Sequence, residues 1–582
     1  NRRPVAAHPP SRLYRTKKFI QRHRGGVALT TILVLAILSA LALALWQADV
    51  ARRQAQRANH VRDFLVGLFD AARAHLPRDQ RPTPEALVAQ AETQLAATTN
   101  FDSATRSDLL RTLGEVELSL ANFTRAADLF TQAGSLADAA GDAGAARTAR
   151  VLHADALQHA GRNAQAIGEL TPQLDALRAS PSPALLRALA AMSAAEMMTG
   201  KPDAAIAHRR EAAEAAEKIH GAGTIDALAV QFDVGIALAD AQRYPESVAM
   251  LEPLLAKWRA AHAPEDDRYV AALSGLAAAT DGVGDKPATE ARYRELLALK
   301  RKIYAAPHDL IANTLRDLGL IVARAEKYAE AQALIEEALA MQRRIFGEDH
   351  RELAMSYDAL GQVFVGQRRF DDADANYRRA IAVCERAAIK EEVCPRAHNN
   401  FGMSLYRQDK LDEAKTEMTV ALNERRALFG DDHPTVAFSL ATLANVAVKQ
   451  GEKDTAVRLS AQALNLLDRA GRGSARETIL IRNGYAQALW MVDRNEEALR
   501  EIDRTLAEWQ RISPDGKSRR VMILVQKAQI LRDLKRPDDA RRAAEDAIAT
   551  GANVNEMAPM TIKLLRELSG RADLYPEAAA LK

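Results

Sequence analysis

A segment of about 42 residues repeats along most of this 582-residue chain, and the repetition limits the folds open to it. Gly319 and Gly361 stand 42 residues apart, and each is followed by a turn and then by two alanines spaced seven residues apart. The same register places small residues, in steps of 39 to 42, at Gly114, Ala154, Ser193, Gly235, Ala277, Gly319, Gly361, Gly402, Ala444, Ala486 and Ala528. One such unit cannot bury its apolar face alone, so neighbouring units must stack into a continuous core.

The composition favours helices over strands within each unit. Aromatic residues make up only 5% of the chain, hydrophobic residues make up 48%, and alanine is abundant. Alanine has the highest helix propensity, while β-branched and aromatic residues are the ones that favour strands. We therefore predict an all-α fold.

The repeated unit resembles the tetratricopeptide repeat. The residues that carry the resemblance are LRDLGLIVARAEKYAEAQALIEEALA from Leu315 and YDALGQVFVGQRRFDDADANYRRAIA from Tyr357. In that repeat, small residues let two antiparallel helices pack closely and bulky residues fill the space between pairs. The period of 42 residues is longer than the common one, so these units resemble the repeats of kinesin light chains. The resemblance implies a right-handed solenoid of about 11 units over residues 85–556, with a concave groove and a C-terminal capping helix over 557–582.

An uncharged stretch of twenty residues, Val27 to Trp46, precedes the repeats. At ~1.5 Å per residue, a helix of this length measures ~30 Å, which is the thickness of the hydrocarbon core of a bilayer. We expect a single transmembrane helix over 27–46, with a signal peptide as the main alternative. Eight Lys or Arg lie in residues 1–26, while four Arg follow the span, at 52, 53, 57 and 62. The positive-inside tendency then makes 1–26 a basic cytoplasmic juxtamembrane segment and places the repeats outside the cytoplasm. Residues 47–84 are predicted to be a juxtamembrane helix and linker.

The charge balance argues against nucleic acid as a partner. The formal net charge is +3, and residues 1–26 supply +8 of it, which leaves 3 − 8 = −5 for the rest. Neutralising phosphates needs a basic face on the folded part of a protein. The repeats are therefore expected to bind protein or peptide.

Motifs for catalysis or metal binding are missing from the sequence. SPDGKS at 513–518 resembles the end of a phosphate-binding loop, but Arg511 stands where the first glycine is required. His308, His350 and His433 recur at similar repeat positions, but they lie in different units, so loop capping is a better interpretation than a shared metal. Glycine-rich, HRD and DFG kinase motifs are absent as well. We predict no catalytic residue, no metal and no cofactor in this chain.

Cys384 and Cys394 are the only cysteines, and they bracket the junction between two repeats. For a cytosolic protein they would be structural thiols. Export makes a disulfide plausible, and both states remain open from the sequence.

Polar residues on the first helices of the central units are the candidate ligand groove. Side chains three residues before and one residue after the small position should face it. Amide and guanidinium groups at such places can hold an extended backbone or a carboxylate. The candidates at these positions are Arg316, Asp358, Gln362, Asn399 and Asn445, with Arg396, Arg407 and Lys449 nearby. A merely solvated face is the alternative.

The basic segment PVAAHPPSRLYRTKKFIQRHR, Pro4 to Arg24, resembles the region that follows the kinase domain in bacterial transmembrane Hanks-type serine/threonine kinases with C-terminal tetratricopeptide repeats. DFLVGLFDAA, Asp63 to Ala72, is similar too. The resemblance implies a signal-transduction role in the bacterial inner membrane, as the anchor and extracytoplasmic sensor region of a kinase whose catalytic domain, with its ATP and Mg²⁺, lies upstream. It also allows a homodimer through the membrane helix. The alternatives are a membrane-anchored repeat scaffold without an enzymatic domain and a winged-helix transcription regulator.

Overall fold

The computed structural model describes residues 84–98, 101–262, 264–470, 476–512, 517–550 and 559–571, together with scattered positions between 37 and 62. All regular secondary structure in those residues is helical. The chain divides into two compact units, Asn1–Val234 and Gly235–Lys582. The all-α prediction is therefore confirmed for the described residues.

The first unit is built from helices joined by short turns. They are α1 (Pro84–Ala97), α2 (Ser103–Ser119), α3 (Phe123–Ala139), α4 (Ala143–His159), α5 (Asn163–Leu170), α6 (Leu174–Ala179), α7 (Pro183–Met198) and α8 (Pro202–His220). A short 3-10 turn, Thr171–Gln173, separates α5 from α6. The division between the units falls within α9 (Ile225–Asp240).

The second unit continues the pattern with helix pairs. They are α10 (Tyr244–Ala261), α11 (Asp267–Val283), α12 (Lys286–Ile303), α13 (Asp309–Arg324), α14 (Tyr328–Phe346), α15 (Arg351–Gly366), α16 (Phe370–Arg386), α17 (Val393–Arg407), α18 (Leu411–Phe429), α19 (Pro434–Gln450), α20 (Lys453–Arg469), α21 (Arg476–Met491), α22 (Asn495–Ile512), α23 (Lys517–Asp533), α24 (Pro537–Ala549) and α25 (Pro559–Ser569). Odd-numbered helices from α11 to α23 are the first helices of the pairs, and even-numbered helices are the second.

Close approach within each pair depends on the small residue of the first helix. A Cβ atom added to Gly361 would lie 2.6 Å from the ring of Tyr377 on α16, and one added to Gly319 would lie 2.5 Å from Ile335 on α14. The turn between α15 and α16 is tight, with Arg368 at a positive φ of 60°. Glycine at these positions therefore allows a bulky side chain of the second helix to reach the first helix.

A histidine stands immediately before three of the first helices, at the N-cap position. The Nδ1 atoms of His308, His350 and His433 accept hydrogen bonds from the backbone N–H two residues later, at 3.2, 3.3 and 3.3 Å. Each imidazole ring also stacks on an aromatic ring four residues earlier, with centroids 4.4, 4.0 and 4.6 Å apart. These histidines cap helices, as the loop-capping interpretation predicts.

The predicted transmembrane helix over 27–46 is contradicted. In the part of the chain that the structure describes, no helix combines the length and apolar character needed to cross a bilayer. The inner-membrane localisation derived from that helix is contradicted with it.

Other boundary predictions lie mostly outside the described residues. This holds for the basic segment 1–26, for nearly all of 47–84, and for 572–582 of the predicted cap. Inside the predicted cap, α25 packs against α23 and α24. The domain limits remain predictions.

Candidate functional site

The first helices α13, α15, α17 and α19 carry the residues that the sequence assigns to a groove, and α21 and α23 follow them in the same series. Neighbouring first helices contact each other directly, in addition to contacting second helices. One side of each first helix carries the residues six before, three before and one after the small position. We call this side the first-helix face. It belongs entirely to the Gly235–Lys582 unit.

Arg316 on α13 is a buried link between two first helices. Its Nη1 atom lies 2.6 Å from Glu352 Oε2 on α15, and its Nε atom lies 3.2 Å from Asp317 Oδ1. The side chains of Arg316 and Glu352 are only 9% and 15% exposed. Removing one partner from such a pair leaves a buried charge unpaired, which typically costs about 3–5 kcal/mol. Arg316 is therefore held in a contact between α13 and α15.

Asp358 on α15 is buried more deeply, at 1% exposure. Its carboxylate accepts hydrogen bonds from Asn400 Nδ2 on α17 at 2.9 Å and from Gln362 Nε2 at 3.2 Å. Arg396 Nε lies 3.3 Å from Asp358 Oδ2, an ion-pair distance without hydrogen-bond geometry. Burial raises the pKa of Asp358, while the Arg396 charge and the two amide donors oppose that rise.

Two more predicted groove residues link α17 to α19. Thr442 Oγ1 donates a hydrogen bond to Asn399 Oδ1 at 3.1 Å. Lys449 Nζ lies 2.7 Å from Asp409 Oδ1, donates to the Tyr406 carbonyl oxygen at 3.1 Å, and sits 4.7 Å from the centroid of the Tyr406 ring. These contacts hold the side chains in place between neighbouring repeats.

The remaining predicted groove residues present polar groups to solvent. Gln362, Arg407 and Asn445 are all exposed. Taken together, the eight predicted residues form a succession of contacts along α13 to α19, rather than one compact cluster. Most of their polar groups already serve contacts within the protein, so Arg407 and Asn445 are the ones most open to a ligand.

Apolar residues on the same face were missed by the sequence analysis. Phe438, Leu480 and Met522 occupy the position six residues before the small residue on α19, α21 and α23, spaced 42 residues apart. Leu480 is 37% exposed and Met522 is 55% exposed, which is high for large apolar side chains. The repeated spacing was the available signal, but apolar residues in a helix are ordinarily assigned to the core.

A cavity of about 260 Å³ lies between α19 and α21 and contains part of this apolar set. Phe438, Ala441 and Leu480 line it together with the polar residues Thr442 and Asn445. Ser460 on the second helix α20 forms part of its wall. A cavity with an apolar lining and a few polar groups is the usual form of a binding site for a side chain or small group.

A disulfide joins Cys384 near the end of α16 to Cys394 in the first turn of α17, with Cα atoms 5.8 Å apart. It ties the second helix of one pair to the first helix of the next. Arg396, the ion-pair partner of Asp358, stands two residues after Cys394. The cross-link thus lies beside the first-helix face.

The side chains described on the first-helix face are amides, cations, a carboxylate and apolar groups. Among the described residues, no group of three or more His, Cys, Asp or Glu is placed to hold a metal ion. Residues 513–516 of the SPDGKS stretch lie outside the described residues, and Lys517 begins α23. The face offers a partner hydrogen-bonding amides, a cation and apolar cavities.

Three solved structures are similar to this chain over less than half of its length. A kinesin light chain with nearly identical TPR-like repeats from Podosopora anserina is 15% identical, covering 36% of this chain and 99% of its own at a TM-score of 0.31. BtubC from P. vanneervenii is 21% identical, covering 41% of this chain and 92% of its own at a TM-score of 0.32. The apo form of RapI is 10% identical, covering 48% and 97% at a TM-score of 0.37.

The sequence itself also matches a family model. No curated protein matches the chain significantly. The tetratricopeptide repeat model matches residues 310–386 and 394–469, which contain α13 to α16 and α17 to α20 except for the first residue of α13 and of α17. These two segments are therefore tetratricopeptide repeats, as the resemblance predicted.

Proposed function

We propose that the chain is a protein-interaction scaffold whose first-helix face binds an extended peptide segment of a partner protein. The observation that carries the proposal is the cavity between α19 and α21, which is lined by both the exposed side chain of Leu480 and the amide of Asn445. An apolar side chain of a peptide can enter such a cavity while an amide binds the adjacent peptide backbone.

The fixed side chains around the cavity support this proposal. Thr442 is held by its hydrogen bond to Asn399, and Lys449 is held between Asp409 and Tyr406. Side chains that are already ordered lose little conformational entropy when a ligand binds, so more of the contact energy appears as affinity. The neighbouring ion pairs thus contribute to binding by keeping the face rigid.

A display selection tests the proposal with random peptides in place of the partner protein. The peptides are selected against the purified full chain, and the affinity of one selected peptide is measured by fluorescence anisotropy. Asn445→Ala should weaken binding by about ten-fold, because one hydrogen bond to a bound backbone is lost. Asn465→Ala is the matched control, since Asn465 is an exposed asparagine on the second helix α20.

The proposal fails if Asn465→Ala weakens peptide binding while Asn445→Ala leaves it unchanged. It also fails if the selection yields no peptide that binds the chain. Circular dichroism spectra of both variants should match the wild-type spectrum, because each substitution changes only an exposed side chain.

We further propose that this interaction region serves a serine/threonine kinase. The support is the resemblance of Pro4 to Arg24 and Asp63 to Ala72, and both segments lie outside the described residues. A repeat scaffold with no enzymatic domain is the alternative. The gene sequence upstream of Asn1 decides between them: kinase motifs in frame support the link, and their absence removes it.

A further inference from the structure

The inner end of the cavity between α19 and α21 carries a serine. Ser460 lines the cavity from α20, the second helix that packs against both α19 and α21. Its side chain is largely covered, with the residue 4% exposed, whereas Leu480 and Asn445 are exposed. A group that enters the cavity between the two first helices therefore meets Ser460 last.

The hydroxyl of Ser460 has no hydrogen-bond partner among the described residues. Thr442 carries the other hydroxyl in the lining, and it donates to Asn399 Oδ1 and to the Ser439 carbonyl oxygen. Ser460 Oγ is not one of the unpaired side-chain atoms that solvent cannot reach, so an entering group can contact it. A hydroxyl in largely apolar surroundings favours an occupant that supplies a hydrogen bond.

The lining restricts which side chain of a peptide can occupy the cavity. Phe438, Leu480 and Ile481 supply apolar walls, against which a small polar side chain would lose hydration with little return. None of the described residues that line the cavity carries a charge, so an entering lysine, arginine or carboxylate would lack an ion-pair partner. The side chain that fits has a large apolar body and an uncharged polar group.

Tyrosine and tryptophan combine an apolar ring with such a group. The indole N–H of tryptophan lies on the edge of its ring system and can only donate a hydrogen bond. The phenol hydroxyl of tyrosine stands at the far end of the ring, and it both donates and accepts, as the hydroxyl of serine does. Tyrosine therefore complements Ser460 in either direction of the hydrogen bond.

We propose, building on the proposed function, that the cavity between α19 and α21 is a specificity site for a tyrosine of the partner peptide. The ring packs against Phe438 and Leu480, and the phenol hydroxyl forms a hydrogen bond with Ser460 Oγ. The amide of Asn445 binds the peptide backbone beside the tyrosine.

Peptides from the display selection are the probes for this inference. We expect them to share a tyrosine, and replacing it by phenylalanine should weaken binding to the full chain by about ten-fold, because phenylalanine covers the Ser460 hydroxyl without a hydrogen bond. Replacement by tryptophan should weaken binding too. Selected peptides without a shared tyrosine, or equal affinities after its replacement, would overturn this inference and leave the proposed function intact.

Ser460→Ala tests whether one hydroxyl causes the preference. The ratio of the tyrosine and phenylalanine peptide affinities should fall from about ten to about one, because the partner of the phenol is gone. The free chain loses no hydrogen bond, so the variant should unfold at the same temperature as the wild-type chain. A purely structural role would lower both affinities together, so a ratio still near ten would refute the contact.

Met522→Glu is the control for that ratio. Met522 lines a separate cavity of about 270 Å³ between α21 and α23. Whatever this substitution does to each affinity, the ratio should stay near ten. Loss of the ratio in Met522→Glu but not in Ser460→Ala would place the tyrosine in the second cavity and contradict the inference.

Gly484→Leu tests whether the occupant enters the cavity. Only Asn445 Oδ1 lies within 4 Å of a Cβ added to Gly484, at 3.8 Å, so a leucine there would extend into the cavity that Gly484 lines. The tyrosine peptide should bind at least about ten-fold more weakly. Gly168→Leu is the matched control, because Gly168 is an exposed glycine inside α5 with no atom near its added Cβ. Equal affinities of the two variants for the peptide would contradict the site.

Discussion

Gly361→Ala is the substitution whose effect follows most directly from the packing of the repeats. The added Cβ would lie 2.6 Å from Cε1 and 2.7 Å from Cζ of Tyr377, whereas ordinary contact begins at 3.4 Å. The ring has little room to move, because Tyr377 is 2% exposed and packs 6.2 Å, centroid to centroid, from Phe401. Overpacking a rigid buried ring costs up to about 3 kcal/mol, and replacing glycine by alanine inside a helix returns about 1 kcal/mol. The net destabilisation should be about 2 kcal/mol.

Gly484→Ala is the matched control for this substitution. Gly484 also lies inside a first helix, but the nearest atom to its added Cβ is Asn445 Oδ1 at 3.8 Å. With no clash, the helix propensity gain should stabilise α21 by about 0.5–1 kcal/mol. The same change of residue should thus have opposite effects at two sites in one chain.

Hydrogen exchange in increasing urea is the suitable assay, because different parts of a repeat protein unfold separately and a single melting temperature averages over those parts. Amides of α15 and α16 should lose protection in Gly361→Ala, whereas amides of α21 should gain it in Gly484→Ala. If Gly361→Ala protects α15 and α16 as well as the wild-type chain does, the close-packing account of the small position is refuted.

Three further predictions concern single groups near the first-helix face. Burial raises the pKa of Asp358 above its unfolded value of about 3.9, so the folded chain binds that proton more tightly and loses stability as pH rises from about 4 through the raised pKa. Urea titrations of Asp358→Asn should lose this slope, and an unchanged slope would contradict it. Removing the disulfide by Cys384→Ser with Cys394→Ser should destabilise the α16–α17 junction by at most about 3 kcal/mol, and alkylation of native protein should find no free thiols there. His350→Ala should cost about 1 kcal/mol in urea unfolding and His350→Asn less, because only asparagine keeps the cap; equal losses would refute the capping role.

The fold was largely predictable because its signal is periodic. The small residue recurs in steps of 39 to 42, and the structure shows the reason at Gly319 and Gly361, where a second-helix side chain fills the space of a Cβ. The membrane prediction rested on a count of uncharged residues, and it is contradicted because the described residues contain no helix that is long and apolar enough to cross a bilayer.

The arrangement of the first-helix face was only partly predictable. Counting from the small position placed Asn399, Asn445, Arg316 and Asp358 on this face. It did not show that the polar groups of Arg316 and Asp358 would be used in contacts between helices. Those contacts depend on how neighbouring repeats are aligned, which a single unit does not encode. The exposure of Met522 could not be predicted from the sequence for the same reason, because it depends on how much of this side chain the neighbouring helix covers.

Photo-crosslinking tests most directly whether the first-helix face is the binding surface. A display-selected peptide carrying one photoreactive residue is irradiated with the full chain, and the attachment sites are identified by mass spectrometry. The account predicts attachment to α19, α21 and α23, at or next to Asn445, Leu480 and Met522. Attachment confined to the second helices α18, α20 and α22 would contradict it.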